Sequence, residues 1–266
     1  MKTRIALAAC AALVLAACTR DAAPPPAAAA ATGDYGVRAW ELFAGPGSMA
    51  PDLSLTADGR ILVSWLNRQQ GRRTALQFAS WTSEGTWQSQ PRTIAVGNSL
   101  MANWADVPHL RATPDGALWA QWLLANADTA SAYDTVLARS RDGGMRWEQM
   151  TRVNAEGQGG YSGFAALWPE GRDRLGMAWL DGRAKQGGHE KHEGHDGGGA
   201  MQLRATRFDG GLQRGEELLL DAMTCDCCQT DVAMTDAGAL LVYRGRTEGE
   251  VRDILAIRRS GDGWSA

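Results

Sequence analysis

The chain has 266 residues, of which 44% are hydrophobic and 21% charged, and its formal net charge is −3. This length allows one domain with a sizeable hydrophobic core. The slightly acidic balance argues against nucleic acid or an acidic lipid surface as a partner, because both attract strongly basic proteins. The sequence shows no motif for a nucleotide or organic cofactor, and it identifies no protein partner.

The N-terminus predicts export and lipid attachment. Residues 1–17 form a positively charged start followed by an apolar run that is too short to span a bilayer, which is typical of a signal peptide. The sequence Leu15-Ala16-Ala17-Cys18 resembles the bacterial lipoprotein motif, in which Cys18 becomes the lipid-bearing first residue. Because Thr19 rather than Asp follows, the resemblance implies a Gram-negative cell envelope, with the lipid in the outer membrane.

The segment after the signal predicts a tether. Residues 18–33 begin with the lipidated Cys18 and are rich in Ala and Pro, with almost nothing to bury, so we expect a disordered or partly extended chain. Residues 34–266 are then predicted to form the folded domain.

An internal repeat runs through this domain. Its copies contain Trp65, Trp122, Trp179 and Tyr243 at matching places, so successive aromatic residues are 57, 57 and 64 positions apart. Each copy shows an alternating apolar strand, an Asp-Gly or similar tight turn and a second alternating strand, with signals for two more strands. Four strands per repeat predict an all-β fold, a β-propeller of four-stranded blades. A generic sandwich would explain the strands but not the period.

One turn carries a family motif. Ser140, Asp142, Gly144 and Trp147 match every defined position of the Asp-box, S-x-D-x-G-x-x-W. The Asp is expected to accept hydrogen bonds from turn amides, the Gly to take positive φ, and the Trp to pack between sheets. The chain therefore resembles the sialidase (neuraminidase) superfamily of Asp-box, or BNR-repeat, propellers. Asp-boxes mark this fold and are found in many proteins that cleave no sugar.

The resemblance also implies a blade number. Superfamily members usually have six blades, whereas about four repeats are visible in this sequence. We expect either a propeller that lacks its C-terminal part or an unusually small one. The first is favoured, because an open arc of four blades leaves sheet edges exposed.

Two segments concentrate metal-ligating side chains. His189, His192 and His195 recur at every third position between glycines, which is typical either of a metal-capturing tract or of a solvated loop. In an Asp-box propeller this segment and the cysteines of repeat four are predicted on one face, at the mouth of the channel. His109 leads into the first strand of repeat two, where it is either a channel-facing or a scaffold residue.

The cysteines Cys225, Cys227 and Cys228 have several possible uses. Thiolates beside imidazoles favour a transition-metal site, with copper first and zinc second. In an oxidising compartment a structural disulfide is the common fate of paired cysteines, and the odd count would leave one over. Redox exchange is the third possibility. The first interpretation is therefore an envelope lipoprotein that binds a metal and is not an active sialidase.

An enzymatic alternative follows from the resemblance, an exo-α-sialidase that releases terminal sialic acid. Sialidases clamp the substrate carboxylate with three arginines and use a Tyr-Glu pair and an Asp. The residues that could take such roles here are Arg68, Arg183, Tyr243, Arg244, Arg246 and Asp253. The family's Arg-Ile-Pro tripeptide is absent from residues 34–66. A further alternative is a non-catalytic propeller that binds a glycan or a protein and has a structural disulfide.

Overall fold

The computed structural model describes Gly36 and residues 41–82, 84–87, 90–103, 105–125, 133–154, 161–187, 200–261 and 263–265. It divides into a unit ending at Glu41 and a second unit, residues 42–266, to which every described strand belongs. The predicted signal peptide, Cys18 and tether lie outside the described residues. So do His189, His192 and His195.

The described residues of the second unit form four antiparallel sheets, and each sheet has its four strands in chain order. The first sheet comprises β1 (Ser48–Leu55), β2 (Ile61–Arg68), β3 (Thr74–Trp81) and β4 (Arg92–Gly97). The second comprises β5 (His109–Ala112), β6 (Leu118–Ala125), β7 (Tyr133–Ser140) and β8 (Thr151–Arg152). The third comprises β9 (Ser162–Pro169), β10 (Leu175–Asp181), β11 (Met201–Phe208) and β12 (Leu218–Thr224). The fourth comprises β13 (Asp231–Thr235), β14 (Gly238–Arg244), β15 (Ile254–Ser260) and β16 (Gly263–Ser265).

The four sheets are blades of a β-propeller, as the repeat predicts. Their first strands are neighbours, with β1 against β5, β5 against β9 and β9 against β13. Hydroxyl groups join adjacent blades, since Ser54 Oγ donates to the carbonyl of Leu110 and Thr230 Oγ1 to that of Phe164, each at 2.6 Å. Blade order along the chain is therefore also blade order in space.

The repeated aromatic residues form part of the core. Trp65, Trp122, Trp179 and Tyr243 all lie on the second strand of their blade, and each is no more than 5% exposed. Burial of such large side chains contributes about 1.5–3 kcal/mol each to stability, because their apolar surface leaves water. The repeat period therefore reflects one packing position used in every blade.

The turn between β7 and β8, which carries Asp142, Gly144 and Trp147, forms the contacts expected of it. Asp142 Oδ1 accepts hydrogen bonds from the amides of Met145 and Arg146, at 3.0 and 2.9 Å. Trp147 packs edge-on against Phe78 of the first blade, with ring centroids 6.4 Å apart. Gly144 has φ +86°, and a Cβ there would lie 2.4 Å from Phe78 Cζ, so the turn requires glycine on both counts.

The end of the propeller opposite the β7–β8 turn is called the rim. On the last two blades the rim comprises residues 182–187, 225–230 and 245–253. Backbone hydrogen bonds connect the segments there, for example from Cys225 N to Arg244 O at 2.9 Å. A short 3₁₀ helix, Arg183–Gly187, follows β10. Within the described part of the chain, no helix combines the length and apolar character needed to cross a membrane.

Candidate functional site

The cysteine loop, residues 225–229, crosses the rim from the third blade to the fourth. Its first residue is fixed to β14 by the hydrogen bond from Cys225 N to Arg244 O. Just before it, the carbonyl of Met223 accepts a hydrogen bond of 3.2 Å from Arg246 N. Just after it, Thr230 is fixed to the third blade through Phe164. The loop is therefore held at both ends by backbone groups of neighbouring strands.

The three cysteines converge within this loop. Their Sγ atoms all lie within 4.8 Å of one another. Cys225 and Cys228 form a disulfide with a Cα–Cα distance of 5.8 Å, which leaves Cys227 as an exposed free thiol. The bonded pair thus has the Cys-x-x-Cys spacing, and Cys227 is the cysteine left over.

Two arginines approach the sulphurs. Arg252 Nη1 lies 3.9 Å from Cys225 Sγ, and Arg244 Nη1 lies 3.7 Å from Cys228 Sγ. Arg244 Nε also donates to the backbone carbonyl of Arg252 at 2.9 Å, which ties the Arg244 side chain to the β14–β15 loop. Positive charge beside sulphur favours the thiolate form over the thiol.

Further ion pairs surround the loop. Arg246 Nε donates to Glu250 Oε1 at 2.7 Å, and Arg252 Nη2 to Glu250 Oε2 at 2.7 Å. These hydrogen bonds, first from Arg252 and then from Arg246, lower the pKa of Glu250. Asp226 pairs with Lys185 and lies 3.7 Å from Arg246. The name rim cluster is used below for a set of six residues: Lys185, Asp226, Arg244, Arg246, Glu250 and Arg252.

The loop that carries the His-rich segment contacts the cysteine loop. Lys185, in the 3₁₀ helix, reaches Asp226 across the boundary between the third and fourth blades. Lys185 precedes His189 by four residues. The predicted meeting of these two loops on one face is therefore observed for their described parts.

The residues named for the sialidase alternative are spread over three blades. Arg183 pairs with Asp181 and Glu217, each at 2.7 Å. The hydroxyl of Tyr243 donates to Asp221 at 2.9 Å, and burial raises the pKa of this phenol.

Arg68 lies at the end of β2 in the first blade, far along the chain from Asp253 on the β14–β15 loop. Since Arg246 pairs with Asp226 and Glu250, a carboxylate clamp built from Arg183 and Arg246 would have to replace existing ion pairs.

A second candidate site is a cavity of about 680 Å³ lined by the first strands of the four blades. Asp52, from β1, forms its charged centre. Arg111 Nη1 lies 2.5 Å and His109 Nδ1 3.2 Å from Asp52 Oδ2. Burial alone would raise the pKa of Asp52, but the hydrogen bond and charge of His109, with those of Arg111, hold it at about 2.

Asp106 is buried nearby and behaves in the opposite way. It is 2% exposed, and burial raises its pKa to about 6 although Phe164 N donates to its carboxylate at 2.8 Å. The buried atoms Asp106 Oδ1 and His109 Nε2 have no hydrogen-bond partner in the described structure. The name central cluster is used below for Asp52, Asp106, His109 and Arg111.

Sequence reasoning named only His109 of the central cluster. A signal was present, because the repeat aligns Asp52, His109 and Asp231 at one position of the first strand, and all three line the cavity. The repeat alone did not show which of these side chains face each other, and Asp106 lies outside the aligned strands.

Comparisons with known proteins identify the fold. No protein-family model and no curated protein sequence matches the chain. Among solved structures it is similar to an α-L-arabinanase of Penicillium chrysogenum complexed with arabinobiose, with 16% identity and a TM-score of 0.51 over 83% of this chain. It is also similar to the endosialidase of phage phi92, with 15% identity and a TM-score of 0.46 over 74% of this chain. The chain spans 63% of the arabinanase and 33% of the endosialidase. At 16% identity, the likeness to the arabinanase extends to the fold alone.

Proposed function

We propose that the protein binds a soft transition-metal ion at the rim, copper first and zinc second, through Cys225, Cys227 and Cys228. The observation that carries the proposal is the convergence of three Sγ atoms within 4.8 Å. With metal–sulphur bonds of about 2.3 Å, three thiolates around one ion lie about 4 Å apart, so Cys225 and Cys228 must separate after the disulfide opens while all three sulphurs stay within the same loop. Thiolates are the ligands that select Cu(I) and Zn(II) over harder cations.

Metal binding requires the disulfide to be open. A thiol reductant that supplies two electrons and two protons converts the Cys225–Cys228 disulfide into two thiols and is itself oxidised to a disulfide. Each cysteine then releases its proton as its sulphur binds the ion. The oxidised loop offers Cys227 alone, so the proposed site exists only in the reduced protein.

The His-rich segment is proposed to supply further ligands or to capture the ion first. The contact between Lys185 and Asp226 supports this role, because it brings the chain just before His189 to the cysteine loop. Neutral imidazole is a good ligand for both copper and zinc. His189, His192 and His195 are accordingly part of the proposal.

The proposed location is the cell envelope, with the protein attached to the outer membrane through lipid on Cys18. The predicted signal peptide and the lipoprotein-like sequence support this location. In such an oxidising compartment the state of the Cys225–Cys228 pair would decide whether the metal site forms.

The deciding experiment uses the mature chain, residues 18–266, with Cys18→Ala to remove the predicted lipid. After anaerobic reduction, bound copper and zinc are measured by mass spectrometry beside a count of free thiols. We expect three thiols and about one ion per chain, with the ion lost in Cys225→Ser/Cys228→Ser. The control Met145→Ser removes a soft, 69% exposed side chain from the opposite end and is expected to leave binding intact. A fully reduced protein without stoichiometric metal would overturn the proposal.

A second candidate function is carbohydrate binding or sialoside cleavage. The central cavity favours it, because its volume of about 680 Å³ and its mixture of apolar and charged walls fit a small-molecule site. Turnover of a fluorogenic sialoside, lost in Asp52→Asn or in Arg244→Ala/Arg246→Ala, would support a hydrolase. Saturable sugar binding without turnover would support a lectin.

A further inference from the structure

The rim cluster carries more positive than negative charge. Its cations are Lys185, Arg244, Arg246 and Arg252, and its carboxylates are Asp226 and Glu250, so four positive charges face two negative ones. Glu248 and Asp253 lie on the same β14–β15 loop but form no ion pair with this cluster among the described residues. The surplus of two positive charges is thus a property of these six residues, since Glu248 and Asp253 add two negative charges farther along the loop, and the cations nearest the sulphurs are Arg244 and Arg252.

The two arginines without a full carboxylate partner are the ones nearest sulphur. Arg244 directs Nη1 to Cys228 Sγ at 3.7 Å and gives its remaining described hydrogen bond to a backbone carbonyl. Arg252 shares Glu250 with Arg246 and directs Nη1 to Cys225 Sγ at 3.9 Å. Groups in this position act on a metal through its ligands, and their charge changes the stability of the whole complex.

We infer that the rim cluster selects a monovalent soft cation, Cu(I), over a divalent one, and that Arg244 and Arg252 are the positioning residues that provide the selectivity. This inference rests on the proposed function of the cysteine loop. Three thiols that release three protons change the charge of the site by −2 when they bind Cu(I) and by −1 when they bind Zn(II). The positive charges of Arg244 and Arg252, next to the sulphurs, therefore stabilise the Cu(I) complex more than the Zn(II) complex and repel the extra charge of Zn(II).

The charge difference gives a quantitative expectation. Each arginine stabilises the Cu(I) complex about twice as much, in free energy, as the Zn(II) complex, because it interacts with twice the charge change. Loss of a group next to a metal ligand typically lowers metal affinity about 10–100-fold. A tenfold loss for Cu(I) should therefore accompany a loss of about threefold for Zn(II), the square root of ten.

The test compares the two metals in the same variants. The reduced mature chain with Cys18→Ala is titrated at one pH with each metal. Bicinchoninate competes with the protein for Cu(I), and a zinc indicator competes with it for Zn(II). In Arg244→Gln and in Arg252→Gln we expect Cu(I) affinity to fall about tenfold and Zn(II) affinity about threefold. Arg244→Lys and Arg252→Lys keep the charge and should restore most of the Cu(I) preference. Arg141→Gln, which removes a 61% exposed arginine at the opposite end, is the matched control and should change neither affinity.

The outcomes separate the inference from the proposed function. If the reduced parent binds neither metal, the proposed function fails and the inference fails with it. If the parent binds metal but the arginine variants lose Cu(I) and Zn(II) equally, or lose neither, the selectivity is overturned and the cysteine site stands. Thermal unfolding of each variant checks that the fold is intact, and the lysine variants serve if a glutamine variant does not fold.

Discussion

The central cluster and the rim cluster use the same kinds of side chain in opposite ways. In the cavity, Asp52 is enclosed by Arg111 and His109, and these contacts join the first two blades. In the rim cluster, four cations accompany two carboxylates, and Arg244 and Arg252 each direct one guanidinium nitrogen to sulphur. The difference indicates that Asp52 and Arg111 neutralise each other inside the central cluster, whereas the six residues of the rim cluster have positive charge left over for a ligand.

The largest expected change in stability follows from removing Asp52, the centre of the central cluster. Asp52→Ala leaves the mostly buried charge of Arg111 without its carboxylate, so the free energy of unfolding should fall by about 3–5 kcal/mol. Urea denaturation measures this change. Asp58→Ala, which removes an exposed carboxylate from the adjoining hairpin, should cost less than about 1 kcal/mol. Equal losses in the two variants would show that the ion pair of Asp52 contributes no more to stability than an exposed one, and would contradict the structural role given to the central cluster.

The second prediction concerns pH and Asp106. Because burial raises its pKa to about 6, folded Asp106 keeps its proton between about pH 4 and 6 while the unfolded chain releases it. Its contribution to stability is present below about pH 4 and is lost as the pH rises through 6. The free energy of unfolding of Asp106→Asn, measured relative to that of wild type, should therefore rise by about 3 kcal/mol between pH 4 and pH 7. Denaturant midpoints measured across this range test it, and a constant difference would contradict it.

On the rim, the expected effect is on binding and not on folding. Cys227→Ser removes one of three proposed ligands and leaves the Cys225–Cys228 disulfide able to form. Loss of a residue that only contacts a metal ligand typically lowers metal affinity about 10–100-fold, and loss of a ligand itself should lower it more. Cu(I) affinity should therefore fall at least about 100-fold in the reduced variant. Thermal unfolding of the oxidised variant should match wild type. Unchanged Cu(I) affinity would exclude Cys227 as a ligand.

The smallest expected change comes from Lys185→Gln. Lys185 and Asp226 are each 36% exposed at the side chain, so their ion pair should contribute less than about 1 kcal/mol to stability. Denaturation of the variant beside wild type measures this contribution. A larger loss would show that the contact between the two rim loops is a major structural support, and would make the rim more like the central cluster.

The sequence predicted the features that repeat or that close within one turn. The spacing of Trp65, Trp122, Trp179 and Tyr243 predicted the blades, because each residue fills the same buried position. The hydrogen bonds of Asp142 were predictable because donors and acceptor lie within four residues of each other.

Contacts between blades were harder to predict. Asp52 meets Arg111 only because β1 and β5 are neighbours at a particular register, and 59 residues separate them along the chain. The pairing of the cysteines depended similarly on loop geometry, since Cys-x-Cys-Cys permits more than one bonded pair. The structure distinguishes these pairs, and Cys225 with Cys228 is the pair formed.

The odd number of sulphurs in the cysteine loop has a consequence for its chemistry under oxidation. Disulfides use sulphurs two at a time, so a loop with three of them cannot close completely on itself. Either Cys227 persists as a thiol beside the bonded pair, or one sulphur forms a disulfide with a cysteine or thiol outside the loop. Full oxidation to disulfides would therefore always leave a covalent link from the loop to a partner beyond it, which can be a small thiol or another cysteine-bearing surface.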